Sequence, residues 1–127
     1  MAEALVREAV DAFMARDLDA LLAVADDEIV LRSLLTEAER PLYHGHEGVR
    51  DWFHAVFGVF PDWKPQPRPA CHDEDGAVVI CLDVTATGAG SGAPVDQIYW
   101  LGARVRADKI IFFGFFRTEA DALDAVT

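Results

Sequence analysis

Seven consecutive residues near the C-terminal end of the chain, Ile110 to Phe116 (IIFFGFF), contain no polar side chain. A β-strand sends alternate side chains to opposite faces, so Ile110, Phe112, Gly114 and Phe116 fall on one side. Ile111, Phe113 and Phe115 fall on the other. A strand with one wet face alternates apolar with polar residues, and this one does not. Both of its faces must therefore be covered, which requires a packed layer on one side of the sheet and a second cover on the other.

The rest of the chain supplies those layers. Residues 3–15 carry Val6, Ala9, Val10 and Phe13 at helical spacing, and Asp17 is a candidate N-cap for a second helix, DLDALLAVA. EIVLRSLL (28–35) reads as a first strand, and the polar connection TEAERP follows it. Val49, Trp52, Phe53, Val56, Phe57 and Phe60 form an apolar stripe on a third helix that Gly58 and Pro61 end. From Trp63 the pattern changes to strands. WKPQPRPACHDE has three prolines and begins as an edge strand, and Asp75-Gly76 turns it into AVVICLDVTAT (77–87). The glycine-rich connection GAGSGA (88–93) leads to a strand over 94–106, and Ala107-Asp108 turns that strand into KIIFFGFF (109–116). Thr118 caps a short terminal helix. Helices first and an antiparallel meander afterwards make an α+β plan, with residues 1–127 forming a single domain.

Composition narrows the function classes. A hydrophobic content of 52% belongs to a globular chain, and a formal charge of −11 repels nucleic-acid phosphates and anionic membrane surfaces alike. No apolar run approaches the roughly 20 residues that span a bilayer. The start, MAEALVREAVDAF, is an acidic amphipathic helix rather than a secretory signal, so a cytoplasmic location is expected. A two-residue turn at Asp75-Gly76 pairs Cys71 with Ile80 and leaves Cys81 on the opposite face, which disfavours a disulfide.

Hairpin pairing sorts the sheet into faces, because directly opposed residues share one. A two-residue turn at Ala107-Asp108 pairs Val105 with Ile110, Ala103 with Phe112, Leu101 with Gly114 and Tyr99 with Phe116. Centring the 88–93 connection pairs Asp83 with Ile98 and Thr85 with Asp96. On this regular ladder one face carries Val78, Ile80, Leu82, Val84, Val95, Gln97, Tyr99, Leu101, Ala103, Val105, Ile110, Phe112 and Phe116, and it belongs under the helices. The other carries Asp83, Thr85, Asp96, Ile98, Trp100, Arg104, Arg106, Ile111, Phe113 and Phe115. A greasy centre with a charged rim is how subunit contacts are built, so a homodimer through Trp100, Phe113 and Phe115 is expected.

Three further stretches carry a resemblance: Tyr43-His44-Gly45-His46-Glu47-Gly48-Val49-Arg50, Phe60-Pro61-Asp62-Trp63, and the strand-turn-strand-helix ending in TEADALDAV. With the element order they resemble the NTF2-like superfamily, specifically its SnoaL-like, polyketide-cyclase-related branch, over nearly the whole chain. The resemblance implies a cystatin-like cone: a curved sheet wrapped on three helices, an apolar pocket, and an outer sheet face that makes a homodimer. Members include aldol-type cyclases, ketosteroid isomerases, epoxide hydrolases and proteins with no known reaction.

The implied ligand is a small hydrophobic molecule, polyketide-like or cyclic. Its expected contacts are Phe13, Arg32, Trp52, Gln97, Leu101, Phe112 and Phe116. The isomerases' base lies near the end of the first strand, where this chain has Leu31-Arg32-Ser33-Leu34-Leu35, with acids only at Glu37 and Glu39. Family cyclases carry a late acid, and residues 110–117 hold none. The epoxide hydrolases' Asp-Arg-Asp set is imitated by Asp83, Arg104 and Asp96. A β-bulge near Pro94 would swing Asp96 inward beside Tyr99, giving a cofactor-independent cyclase or isomerase with Asp96 as general base and Tyr99 as carbonyl donor. A non-catalytic module with a filled cone is the other reading. His44 and His46 flank Gly45 at the helix start, a capping or surface position. No His/Cys/Asp spacing points to a metal, and no phosphate-binding glycine loop precedes a helix, so neither metal nor cofactor is expected.

Overall fold

The computed structural model describes residues 2–34, 40–87 and 94–127, with backbone alone at 87, 94 and 95. Residues 36–39 of the connection expected at 36–41, with Glu37 and Glu39, and the whole connection expected at 88–93 lie outside the described residues.

Three helices form one layer. Helix α1 (Ala2–Met14) buries Val6, Ala9, Val10 and Phe13, the stripe its spacing predicts. Helix α2 (Leu18–Val24) starts at Asp17, whose carboxylate accepts from the Ala20 N–H at 3.0 Å. Helix α3 (Gly45–Val59) turns Val49, Trp52, Phe53 and Val56 inward. Six strands form the other layer: β1 (Ala25–Arg32), β2 (Leu42–His44), β3 (Lys64–Glu74), β4 (Ala77–Thr87), β5 (Pro94–Arg106) and β6 (Lys109–Phe116). Their order across the sheet is β2-β1-β6-β5-β4-β3. A terminal helix, α4 (Glu119–Val126), is capped by Thr118, whose hydroxyl accepts from the Asp121 N–H at 3.1 Å.

Two features have no counterpart in the sequence reading. The short strand β2 pairs with β1, and β1 runs parallel to β6, so one pairing in this otherwise antiparallel sheet joins distant parts of the chain. The proline-rich strand β3 lies at the edge as expected, where a missing N–H costs no ladder bond. The Arg7 guanidinium covers part of that edge by donating to the carbonyls of Arg68 at 2.9 Å and Pro69 at 3.0 Å.

The meander's turns follow the expected pairing. Asp75 and Gly76 both have positive φ, at 53° and 79°. A Cβ on Gly76 would stand 2.6 Å from the Val105 carbonyl oxygen, so only glycine fits there. Cys71 lies opposite Ile80, and both thiols are free. Asp83 pairs with Ile98 and Thr85 with Asp96, and the β4–β5 ladder runs unbroken to Thr87 and Pro94. No bulge near Pro94 turns Asp96 inward.

The bulge lies elsewhere, and it corrects the face assignment. Val105 faces Ile110, but Arg104 then faces Phe112 and Ala103 faces Phe113, so Ile111 is the extra residue. The β1 pairing jumps at the same place, from Ile110 to Phe112. Beyond Ile111 every side chain of β6 therefore sits on the opposite face from the one a regular ladder gives. Phe113 and Phe115 join the core under the helices, while Phe112 and Phe116 lie on the outer face with Trp100. Helix α4 closes this outer cluster with Ala122 and Val126. The helix can lie close because Gly102 and Gly114 oppose each other beneath it. A Cβ on Gly102 would meet Val126 at 3.2 Å and the Ala122 carbonyl oxygen at 3.3 Å.

Candidate functional site

The cone's interior is built from three helices and three strands. Val10 and Phe13 come from α1, Leu21 from α2, and Trp52 from α3. Trp63 and Pro65 come from the start of β3, Leu82 from β4, and Phe113 and Phe115 from β6. Together they enclose a void of about 10 Å³. Phe13 is the hub. Its ring lies 4.7 Å from both Trp52 and Phe57, and Trp63 meets it edge-on at 5.0 Å and 89°. Phe115 stacks on Trp52 at 5.7 Å and meets Trp63 edge-on at 5.6 Å. Offset and edge-to-face contacts of this kind hold each ring in one orientation.

One side of the aromatic cluster is clasped from outside. Arg16, just past α1 with φ 60°, lays its guanidinium 3.7 Å over the Phe57 ring and donates to the Pro61 carbonyl. Phe57 is thus held between Phe13 and Arg16.

The interior contains almost nothing polar. Ser33 is the buried polar residue among those described, and its hydroxyl accepts from Trp52 Nε1 at 3.2 Å. Trp63 is 1% exposed, yet its indole N–H has no hydrogen-bond partner among the described residues. An unpaired buried donor costs about 1–3 kcal/mol. Water does not resolve this. A site must offer about 10–15 Å³ and two to four polar partners to hold one, and the wall here is apolar.

The residues singled out from the sequence separate into three groups. Phe13 and Trp52 wall the void, and Leu101 is fully buried in the same core. Tyr99 and Gln97 share the inner face, opposite Leu82 and Val84, with Tyr99 partly buried and Gln97 exposed. Burial raises the Tyr99 pKa and nearby Arg117 partly offsets the rise, so the hydroxyl is a donor at neutral pH. Arg32, Phe112 and Phe116 sit on the outer face instead. Arg32 lies opposite Gly114 with its guanidinium 5.4 Å over the Phe116 ring, and the bulge at Ile111 carries the two phenylalanines there.

Asp96 is exposed on the outer face, so it is not brought together with Tyr99. Asp83 is engaged by Arg68 through two hydrogen bonds of 2.8 and 2.9 Å, and Arg104 donates to the Val126 carbonyl. Asp83, Arg104 and Asp96 therefore do not converge on the cone, as an epoxide-hydrolase set would need. His46 is tied to the Ala25 carbonyl at 2.9 Å and His44 to Glu28 at 3.2 Å, which fastens the start of α3 to β1. Among the described residues no group of three or more His, Cys, Asp or Glu is placed to hold a metal ion, and no helix is long and apolar enough to cross a membrane.

Leu21, Trp63, Pro65, Phe113 and Phe115 are the lining residues that the sequence reading did not place in the cone. The two phenylalanines were hidden by the bulge. Trp63 carried a signal, a large aromatic directly after a Pro-Asp turn and before a strand of the meander.

The SnoaL-like domain family matches residues 6–113. No curated protein matches the sequence. Among solved structures, an NTF2-like protein of unknown function from Burkholderia pseudomallei superposes with TM-score 0.82 at 18% identity, covering 99% of this chain and 97% of that one. TerC, crystallised with polyporic acid, gives TM-score 0.81 at 13% identity, covering 98% and 96%. A candidate polyketide cyclase from Xanthomonas campestris gives 0.75 at 17% identity, covering 99% and 96%. Identities this low speak for the fold alone.

Proposed function

The chain belongs to the SnoaL-like domain family, and we propose that within it this protein binds a small, flat, apolar molecule in the aromatic cone. The observation that carries this reading is the wall itself: two tryptophans and three phenylalanines, with no carboxylate among the described residues of the interior. Small-molecule sites are lined mainly by such side chains with a few polar groups to orient the ligand. The related fold of TerC was crystallised with polyporic acid, which agrees with a cone of this kind taking a small organic molecule. Ligand sites run to about 300–1,000 Å³, so a ligand enters this cone by displacing rings. Phe57, half-buried and stacked on Phe13, is the ring expected to give way. With Asp96 outside, any cyclase or isomerase chemistry would rest on Tyr99 without that base, and binding is the better supported role.

A void of about 10 Å³ favours a second reading, a filled cone in a module that only assembles. Titrating the protein with small polycyclic aromatics while following tryptophan fluorescence separates the two. Saturable quenching at micromolar to millimolar ligand is expected, and no response across the series would leave the filled cone standing.

We also infer a homodimer through the outer face. Phe113 and Phe115 leave the expected contact set. Ile98, which is half exposed, and Trp100 remain, with the Arg68–Asp83 pair at the rim. Light scattering is expected to give twice the 14.0 kDa of one chain; a particle of one chain's mass would remove the contact.

A further inference from the structure

Helix α1 ends in a way that few arginines would favour. The Asp17 N–H bonds to the Ala12 carbonyl at 2.9 Å and the Arg16 N–H to the Phe13 carbonyl at 3.1 Å. This pair of bonds closes a helix through one left-handed residue, usually glycine. Here that residue is Arg16, at φ 60°, where a side chain strains the backbone. Its guanidinium lies 3.7 Å over the Phe57 ring and donates to the Pro61 carbonyl, tying the α1–α2 corner to the turn after α3. Phe13 stacks on Phe57 at 4.7 Å, so the guanidinium covers the opposite face of that ring. Of the rings packed on Phe13, Trp52, Phe53 and Trp63 are buried and Phe57 is half-buried. Phe13 itself walls the void, and its neighbour nearest solvent is therefore the one that Arg16 covers.

We propose that Arg16 is a latch on the cone: it holds Phe57 against Phe13, and a ligand enters when the guanidinium lifts from the ring. This rests on the binding reading above and names what regulates entry to that site. A void of about 10 Å³ admits no ligand until rings move, so the free protein is the closed form. Each contact that favours the closed form lowers the population ready to bind, and with it the apparent affinity. Arg16 makes two such contacts, one to the ring and one to Pro61. Removing them makes binding faster and tighter, the reverse of what losing a ligand contact would do.

The test follows uptake of N-phenyl-1-naphthylamine, a neutral aromatic that accepts energy from tryptophan, by stopped flow in wild type, Arg16→Ala and Arg16→Gly. Glycine suits the left-handed position, so Arg16→Gly removes the side chain, relieves the backbone and is expected to fold even if Arg16→Ala does not. Both variants are expected to take up the probe roughly three- to tenfold faster and to bind it more tightly by a similar factor, the scale of one cation–π contact and one hydrogen bond. In wild type the Phe57 ring current is expected to hold the Arg16 Nε–H resonance upfield, assigned by its loss in Arg16→Gly. Saturating probe is expected to return it toward the position of a free arginine. Unchanged or slower uptake in Arg16→Gly, or an Arg16 resonance that stays upfield on saturation, would overturn the latch while leaving binding intact. Faster uptake in Arg16→Ala without the same gain in Arg16→Gly would trace it to the backbone and also overturn the latch. Failure of the probe to bind wild type or either variant would overturn the latch and the binding reading together.

Discussion

The two faces of one sheet are built on different terms. On the inner face Val78, Ile80, Leu82 and Leu101 are wholly buried, large aromatics fill the space above them, and three helices close the layer. On the outer face a single eight-residue helix rests on a floor of two glycines, and beyond it Asp83, Asp96, Ile98 and Trp100 reach the surface. β6 serves both layers through one bulged residue. Ile110 points in, Ile111 is skipped by both neighbouring strands, and Phe113 and Phe115 again point in. A strand without polar residues can change which set of side chains it buries by absorbing one residue, because neither set is unfit for the core.

The sharpest way to break this comparison is to truncate one aromatic from each face. Phe115→Ala is expected to cost about 3–5 kcal/mol, the range for a large buried ring. Phe112→Ala, from a partly exposed ring over the glycine floor, is expected to cost roughly 1–2 kcal/mol. Urea denaturation measures both. A reversed order would restore the regular ladder and put the bulge in error.

A smaller effect tests how the outer face is closed. Gly102→Val places side-chain atoms where Val126 and the Ala122 carbonyl now lie. About 1–3 kcal/mol of destabilisation is expected, together with faster amide exchange in α4. Unchanged stability and exchange would mean that α4 is not seated there.

The smallest effect is at the outer rim. Hydrogen bonds from Arg68 hold the Asp83 carboxyl below the usual aspartate range. A pKa depressed in the folded state gives stability that is present above the unfolded value and lost as pH falls through the folded one. The pair is exposed, so the loss is slight. Carboxyl NMR titration from about pH 6 to about pH 2 should find the Asp83 midpoint lower in wild type than in Arg68→Ala. Coincident midpoints would dissolve the pair.

Much of the fold was legible locally. β4, β5 and β6 begin and end where their turn residues and apolar runs place them, and Asp17 and Thr118 cap the helices they precede. The strand β2 was not legible, because three residues leading into a helix carry no periodicity. The parallel pairing of β1 with β6 joins segments about 80 residues apart, a contact that no local pattern encodes. The bulge left one trace. A regular ladder sets Gly114 opposite Leu101 on the packed face, a hole where every neighbour is large, whereas the bulged ladder sets it opposite Gly102 under α4. For the site, Phe13 and Trp52 were readable from helical spacing. Trp63, Phe113 and Phe115 depended on the curvature and register that bring β3 and β6 to them.

By itself the sequence determined the types of the longer elements, the meander's turns, and the requirement that β6 be covered on both sides, since these follow from nearest-neighbour chemistry and from periods of two and 3.6 residues. The tertiary structure decided which phenylalanines enter the cone, that Asp96 stays outside it, and that Trp52 finds a hydrogen-bond partner while Trp63 finds none among the described residues. Those outcomes turn on register, and a shift of one residue costs a uniformly apolar strand almost nothing locally while reversing everything it presents to the core.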